Sequence, residues 1–408
     1  ALIIAAAAML GASAQNATMT PYSKYGYGIL SDNATSTQKG MGGIGYAMNS
    51  GRQINVKNPA SYAAIDSLTF LFDMGANLDV MWSQEGTSKE HNFSGGLDYI
   101  TLAFPITKWM GASIGLIPFS STGYKFGENI ENGTVSREGK GDISQLYGGF
   151  GVRPFKGFYV GANFAYMFGT TTNDVYGYTV TGSTSLFERT MKVRDWRCDI
   201  GVQYTATFKQ DHRITLGATF SPGKDFHGEL LGTYYDATLG TTPDTIAPTP
   251  LKLKGNYSMP ATWGAGINYT WRGKLMLEAD FTYQPWAKVK YLRLKDLEAT
   301  EQFANRWKVA LGAQYSPDPR GGYLQRTQYR AGLYYNNDYI MVRGNQVREY
   351  GATLGLGLPV PQFKTIINLA FEYRHRQAYP SALVKEDYLC ISLGVNFNEL
   401  WFHQRKLR

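Results

Sequence analysis

Residues 274–283 read Lys274-Leu275-Met276-Leu277-Glu278-Ala279-Asp280-Phe281-Thr282-Tyr283. Leu275, Leu277, Ala279, Phe281 and Tyr283 share one parity; Lys274, Met276, Glu278, Asp280 and Thr282 share the other. Successive side chains of a strand point to opposite faces, so this run is a strand with one apolar and one largely polar face. Three further runs repeat the pattern. Trp307, Val309, Leu311, Ala313 and Tyr315 alternate with Arg306, Lys308, Ala310, Gly312 and Gln314. Ile367, Leu369, Phe371 and Tyr373 alternate with Ile366, Asn368, Ala370, Glu372 and Arg374. Leu389, Ile391, Leu393, Val395 and Phe397 alternate with Cys390, Ser392, Gly394 and Asn396. Each run is close to the roughly 9–11 residues with which a tilted strand crosses a bilayer.

Composition narrows the alternatives. Charged residues are 18% of the chain and aromatics 14%, too many aromatics for a disordered chain. Beyond the N-terminus no uncharged apolar run is long enough for a membrane helix. Two cysteines in 408 residues exclude a disulfide scaffold. A soluble propeller needs a repeated blade of about 40 residues, and none is visible. An apolar exterior around a polar interior, with backbone hydrogen bonds closed on themselves, describes a transmembrane β-barrel.

The runs predict fourteen strands, near 67–82, 94–106, 109–122, 143–154, 157–172, 189–208, 212–221, 260–271, 274–284, 305–316, 326–336, 347–358, 364–374 and 386–397. Short links (107–108, 155–156, 209–211, 272–273, 317–325 and 359–363) alternate with long ones (83–93, 123–142, 173–188, 222–259, 285–304, 337–346 and 375–385). Short periplasmic turns and long external loops are the outer-membrane pattern, which places both barrel ends in the periplasm of a Gram-negative bacterium. Residues 1–14, ALIIAAAAMLGASA, end in Ala12-Ser13-Ala14 and read as the remnant of a secretory signal cleaved before Gln15. Residues 15–66 are rich in Gly, Ser, Asn and Tyr, show no sustained period, and are expected to fold into the lumen as a plug. Residues 67–397 form the barrel and 398–408 a periplasmic tail.

Two catalytic-looking motifs dissolve on inspection. Gly40, Gly42 and Gly45 spell GxGxxG without the flanking strand and helix that a dinucleotide site needs; they read as tight turns. Gly111-Ala112-Ser113-Ile114-Gly115 spells GxSxG, but the alternation runs straight through it, whereas a nucleophile elbow needs a strand-to-helix turn. The five histidines are scattered, and Cys198 and Cys390 lie on strands that are not neighbours. No enzyme, metal site, cofactor or disulfide is expected. The net charge of +8 is dispersed and marks no nucleic-acid surface. Pro118 interrupts the third strand, where it gives no N–H to the ladder.

These features together resemble the FadL/TodX family of outer-membrane transporters for fatty acids and hydrocarbons. Asn58-Pro59-Ala60, shortly before the first strand, is similar to that family's hatch motif, and Gly42, Gly43 and Gly45 to the glycine-rich stretch preceding it. Asn398-Glu399-Leu400-Trp401-Phe402 with its basic tail looks like Bacteroidetes members. The chain departs from the family's type members in continuing past Phe397. The resemblance implies a passive channel for small hydrophobic molecules across a lipopolysaccharide-covered membrane, with lateral release through a kinked third strand at Ile117, Pro118, Phe119 and Ser120; the alternative at Pro118 is an ordinary bulge. The apolar loop residues Phe187, Phe226, Leu230 and Tyr234 are the expected ligand-capture surface. The inward cations Arg306, Lys308 and Arg374 either meet a ligand carboxylate or pair with the plug. The second functional reading is a FadL-like barrel serving as a subunit of a larger envelope assembly with other proteins, such as barrel-assembly or secretion machinery.

Overall fold

In a computed structural model the described residues are 18–131, 133–179, 184–209, 211–237, 244–246, 250–292, 303–318, 320–361 and 364–400. The signal remnant and residues 401–408 of the tail lie outside them. The wall is built from β1 (Thr69–Glu85), β2 (Ser88–Thr107), β3 (Met110–Ile130), β4 (Gly133–Phe155), β5 (Phe158–Thr179), β6 (Thr184–Phe208) and β7 (His212–Ser221). It continues through β8 (Thr262–Trp271), β9 (Leu275–Gln284), β10 (Arg306–Tyr315), β11 (Gln328–Val342), β12 (Asn345–Pro359), β13 (Ile366–Tyr379) and β14 (Lys385–Leu400). Each strand pairs antiparallel with its sequence neighbour, and β14 returns to β1 from Thr69↔Leu400 to Gln84↔Lys385, closing a fourteen-stranded barrel. The last strand outruns the expected end at Phe397, because Asn398, Glu399 and Leu400 complete the ladder opposite Leu71, Phe70 and Thr69.

Facing follows the alternation. Leu277, Leu311, Leu333 and Leu354 are exposed on the outer surface, while Glu278, Asp280, Lys308, Asn368 and Asn396 are buried inside. Exposed aromatics mark the two ends: Trp109, Phe155, Phe208 and Trp271 near the short turns, and Trp82, Phe93, Trp196 and Trp263 toward the long hairpins. An apolar band between aromatic girdles is the surface that a bilayer matches.

The links 83–93, 123–142 and 173–188 are largely not loops. The ladders run on to Glu85↔Ser88, Ile130↔Gly133 and Tyr178↔Thr184. Beyond the bilayer both faces of a strand meet water or polar side chains, as in Thr134-Val135-Ser136-Arg137-Glu138-Gly139-Lys140, so the period-two signal fades while the backbone pairing persists.

Residues 18–66 run through the interior from the long-hairpin end to the short-turn end. At the first end Thr20 N donates to Gly123 O at 2.7 Å, and Ile29–Leu30 form a short strand paired with Leu30↔Ser120 and Ile29↔Ser121 on β3. A short helix, Ser36–Lys39, packs against β12, β13 and β14. A 3₁₀ turn, Pro59–Ala64, packs against β3 to β6 just before the chain enters β1.

Candidate functional site

The lower half of this segment sits on rows of inward glycines. Gly111, Gly151, Gly161 and Gly201 are consecutive ladder partners on β3, β4, β5 and β6. A Cβ on any of them would collide with Asn58, Pro59, Ala60 or Tyr62. Gly217 and Gly266, paired on β7 and β8, lie under Tyr46 and Ala47, and Gly312 and Gly332, paired on β10 and β11, under Met41 and Gly42. Backbone therefore lies directly on backbone along much of residues 40–62.

This explains the local sequence. Asn58 Oδ1 accepts from Ala60 N at 3.1 Å, capping the 3₁₀ turn, while its Nδ2 donates to Tyr46 O at 2.7 Å. Pro59 takes the first position of the turn, where a missing N–H costs nothing. Ala60 is fully buried against the glycine row, where a larger side chain has no room. Gly42 and Gly43 have φ of +72° and +78°, a left-handed bend that favours glycine. Gly45 N and Tyr46 N donate to Asp280 Oδ2 at 2.7 and 3.1 Å, and Ala47 N donates to Glu278 Oε1 at 3.0 Å. The acidic pair that opened the sequence reading is thus a backbone clamp on the segment. Ser113 of the GxSxG match bonds Leu102 O and Tyr147 Oη, each at 2.8 Å, within the straight β3, and both cysteines are free.

The upper half is held by side chains. Asp32 accepts from Lys308 Nζ and from Arg306, at 3.2 Å for the latter. Burial alone would raise its carboxyl, but Lys308 and Arg306 hold it well below the usual carboxylate range. Arg306 also donates to Asn336 and Gln284, each at 3.1 Å. Arg374 pairs with Glu372 at 3.1 Å, and Lys39 of the segment with Asp98 of β2 at 2.6 Å. All three proposed carboxylate binders line one cavity of about 200 Å³, and each is already engaged with a protein carboxylate. A second cavity, of about 80 Å³, lies on the other side of residues 30–33 and shares Asp32 and Arg306 as a partition. Asp32 was not picked out in the sequence, although it is the only acidic residue between 16 and 65 and faces a wall bearing inward cations.

The ladder between β2 and β3 ends at Ile100↔Leu116. Above that point β3 bulges, with a register shift between Pro118 and Ser120. Ile117, Phe119 and Ser120 are buried, so the strand leans into the lumen. The bulge and the break coincide: a bulge at Pro118 and an interrupted wall are the same event. On this edge β3 instead meets the lumen segment: Ile29–Leu30 pair with Ser121 and Ser120, Ser31 N donates to Phe119 O at 2.9 Å, Thr20 N donates to Gly123 O at 2.7 Å, and Gly123 N donates to Ser23 Oγ at 3.0 Å.

The expected capture residues divide. Phe226 and Leu230 are buried within a cluster that includes Tyr22, Tyr27, Met167, Trp286 and Tyr339. Tyr27 stacks obliquely on Phe226 at 5.0 Å and Trp286 lies over Tyr339 at 4.4 Å; Tyr339 Oη donates to Gly28 O at 2.6 Å. Phe226 and Leu230 are thus packed inside the cluster, whereas its members Phe119, Met259 and Trp286 line the cavity of about 80 Å³. Phe187 and Tyr234 pair across β6 and the loop strand Gly228–Ala237; Phe187 is half-buried and Tyr234 exposed.

A closed fourteen-stranded barrel with an apolar outer band and a polar, occupied lumen is an outer-membrane type of barrel. The family model described as BamG matches residues 1–408, and the chain belongs to the BamG family. No curated protein matches it. Solved structures give the fold. The Ralstonia pickettii toluene transporter TbuX is 13% identical, with 90% of this chain and 98% of that one covered and a TM-score of 0.61. A Pseudomonas aeruginosa FadL homologue is 13% identical, covering 90% and 99% at a TM-score of 0.63. The Pseudomonas putida toluene transporter TodX is 13% identical, covering 93% and 100% at 0.59. The FadL/TodX resemblance therefore holds for the barrel fold, while the family of the chain is BamG.

Proposed function

We propose that this chain is a closed outer-membrane barrel that works as a subunit of a larger envelope complex, with barrel-assembly machinery the first candidate, and that it is not an enzyme. The observation that carries this reading is the filled lumen: residues 18–66 lie on glycine rows along one half and in a buried ion-pair network along the other. The cavities of about 200 and 80 Å³ beside the segment are small and lined by charged as well as apolar side chains, unlike the large apolar pocket by which a hydrophobic ligand would gain most from burial. The BamG family name is in keeping with a complex. On this reading residues 15–66 are a fixed plug, both barrel ends face the periplasm, and residues 401–408, beyond the end of β14 at Leu400, serve there as a docking element. Purification from membranes in mild detergent, followed by mass spectrometry of proteins and lipids together, tests it. A stable set of protein partners is expected; a lone barrel carrying fatty acids or hydrocarbons would sink the reading.

One observation favours a second reading. The break between β2 and β3 supports lateral passage of a hydrophobic small molecule into the bilayer, which spares its tail from water. A cysteine pair bridging β2 and β3 above Ile100 is then expected to abolish uptake of such compounds while leaving heat-modifiable migration intact.

A further inference from the structure

We propose that the outer wall from β12 through β14 and β1 to β2 holds the phosphorylated sugar head of a lipopolysaccharide at its long-hairpin rim, with the acyl chains on the apolar wall below. The inference goes beyond the proposed function and takes from it only the side of the membrane, with the long hairpins outside.

The strand registers set the outward side chains of this sector in level rows. Tyr373, Leu389, Val80 and Phe93 are consecutive ladder partners and form an apolar row. One pleat nearer the hairpin ends, Tyr350, His375, Asp387, Trp82 and His91 form a row made mostly of rings. Tyr350, Tyr373, Trp82 and Phe93 are exposed, and such rings sit at the level of the lipid head groups. One pleat higher again the row reads Arg348, Gln377, Lys385, Gln84 and Lys89. Three cations and two amides, with no acid among them, thus stand directly above the aromatic girdle. The far side of the wall differs. Above its girdle the ladder partners Asp142, Thr170, Lys192 and Glu229 mix the signs.

These cations are available to an anion. Among the described residues none of Arg348, Lys385 and Lys89 is in an ion pair. The Arg348 guanidinium lies over the exposed Tyr379 ring at 3.8 Å, and its Nε has no hydrogen-bond partner. A planar fork held in this way loses little freedom on meeting a phosphate. The acid in the row below, Asp387, already has partners on its own level: its Oδ1 accepts from Tyr373 Oη at 2.7 Å, with His375 Nδ1 at 2.8 Å. Glu349 and Glu386 point into the lumen onto Arg376, and Glu85 and Glu90 share the inward parity of Met81. The outward rim of this sector therefore carries an excess of positive charge.

Spacing selects the head. Lys385 lies two strands on from Arg348, and Lys89 two strands on from Lys385, so the cations stand about 10 Å apart along about 20 Å of wall. A phospholipid with a single phosphate meets one of them. The sugar head of a lipopolysaccharide carries several phosphates spread over linked rings, so one molecule can engage the row, with the amides of Gln377 and Gln84 between the cations to bond its hydroxyls. Its acyl chains then cover Tyr373, Leu389, Val80 and Phe93.

The test uses the full mature protein in nanodiscs holding equal amounts of rough lipopolysaccharide and phosphatidylglycerol. Release into mild detergent and native mass spectrometry should find lipopolysaccharide retained in preference to phosphatidylglycerol. Arg348→Gln, Lys385→Gln and Lys89→Gln combined should lower that retention about tenfold, each exposed contact supplying a factor of about two. Lys192→Gln on the far side should leave it unchanged, and heat-modifiable migration checks that both variants assemble. Dephosphorylated lipopolysaccharide should bind the unaltered barrel as weakly as the intact molecule binds the triple variant. Equal retention of phosphatidylglycerol, equal retention by the triple variant, displacement by an equal concentration of inorganic phosphate, or no retained lipopolysaccharide would each overturn the proposal. Thr87→Cys, in the turn between β1 and β2, separates the site from the orientation. Its labelling on intact cells by an impermeant maleimide, above the background of the unaltered protein, places the long hairpins outside. Labelling without retained lipopolysaccharide defeats the site and leaves the orientation standing; no labelling defeats both.

Discussion

The two halves of the lumen segment are held by different physics. Residues 40–62 rest on glycines with backbone against backbone, a contact that has no rotamer to change and no room to yield. Residues 18–34 are held by Asp32 on Lys308 and Arg306, by Thr20 on Glu386, by the tyrosines of the mouth cluster, and by a two-residue strand on the leaning edge of β3. The lower half is therefore expected to be the more rigid of the two. The upper half is a set of side-chain contacts that borders both cavities and the break in the wall. An opening of this barrel is therefore expected to begin with residues 18–34, and the sharpest experiments are those that separate the halves.

The largest effect is expected from the glycine row. Gly161→Leu places a side chain where Pro59 lies, and overpacking of a tight core costs about 1–3 kcal/mol or more. With backbone as the obstacle the segment cannot shift aside, so the barrel should fail to reach the heat-modifiable form in membranes. Normal assembly of Gly161→Leu would show that the lower half is not a fixed seal.

The outer wall supplies a control of similar size but different cause. Leu311→Arg puts a charge on the lipid face, costing about 2–4 kcal/mol near the midplane, and should deplete assembled protein. Its neighbour Gly312 points inward, yet Gly312→Arg should also fail, because Met41 O lies 2.5 Å from the position of an added Cβ. Ser392→Arg tests the same inward face at a residue that does not stand in a glycine row. If Leu311→Arg is tolerated and Gly312→Arg is not, the facing assignment survives but the lipid contact there does not.

That pair also shows where the sequence was legible. Alternation at Leu275–Tyr283 and Trp307–Tyr315 located the strands and their faces, because lipid imposes one apolar side on every strand. It could not give the length of β3 to β6 beyond the bilayer, where no such demand exists. Glycine was legible as small and not as a seat: Gly151 and Gly161 gain meaning only when the register places them opposite each other under Pro59. Asn58-Pro59-Ala60 was found as a motif, with its reason, a capped turn pressed on glycines, visible only in three dimensions. Arg306, Lys308 and Arg374 were rightly placed inward. Their partner Asp32 escaped notice because the segment that carries it has no period to say which way it points.

A moderate effect is expected from the latch itself. Asp32→Asn leaves Lys308 and Arg306 facing a neutral amide, and an interaction lost between partly buried charges costs about 1–3 kcal/mol. The residue is a third exposed, which argues for the lower end of that range. The barrel should assemble, residues 18–34 should become sensitive to added protease, and residues 40–62 should stay protected. Loss of protection over both stretches at once would mean that the halves are one unit.

The smallest effect is the dependence of the latch on pH. Asp32 is held below its ordinary range by Lys308 and Arg306, whereas in an unfolded chain an aspartate titrates near about 3.9. A depressed carboxyl contributes stability that is fully present above the unfolded value and is lost as pH falls below it toward the folded one. From neutral pH down to about 5 the latch should therefore be constant, and it should weaken only in stronger acid. In planar bilayers the unaltered barrel should stay closed through the neutral range and show brief openings once the pH passes below about 4. Asp32→Asn should show those openings already at neutral pH, with little further change on acidification at this site. Many other carboxylates titrate in the same window, so the informative quantity is the difference between the two proteins. If both open together in acid with equal conductance at neutral pH, Asp32 does not hold the upper half, and the partition between the two cavities is made by the mouth cluster alone.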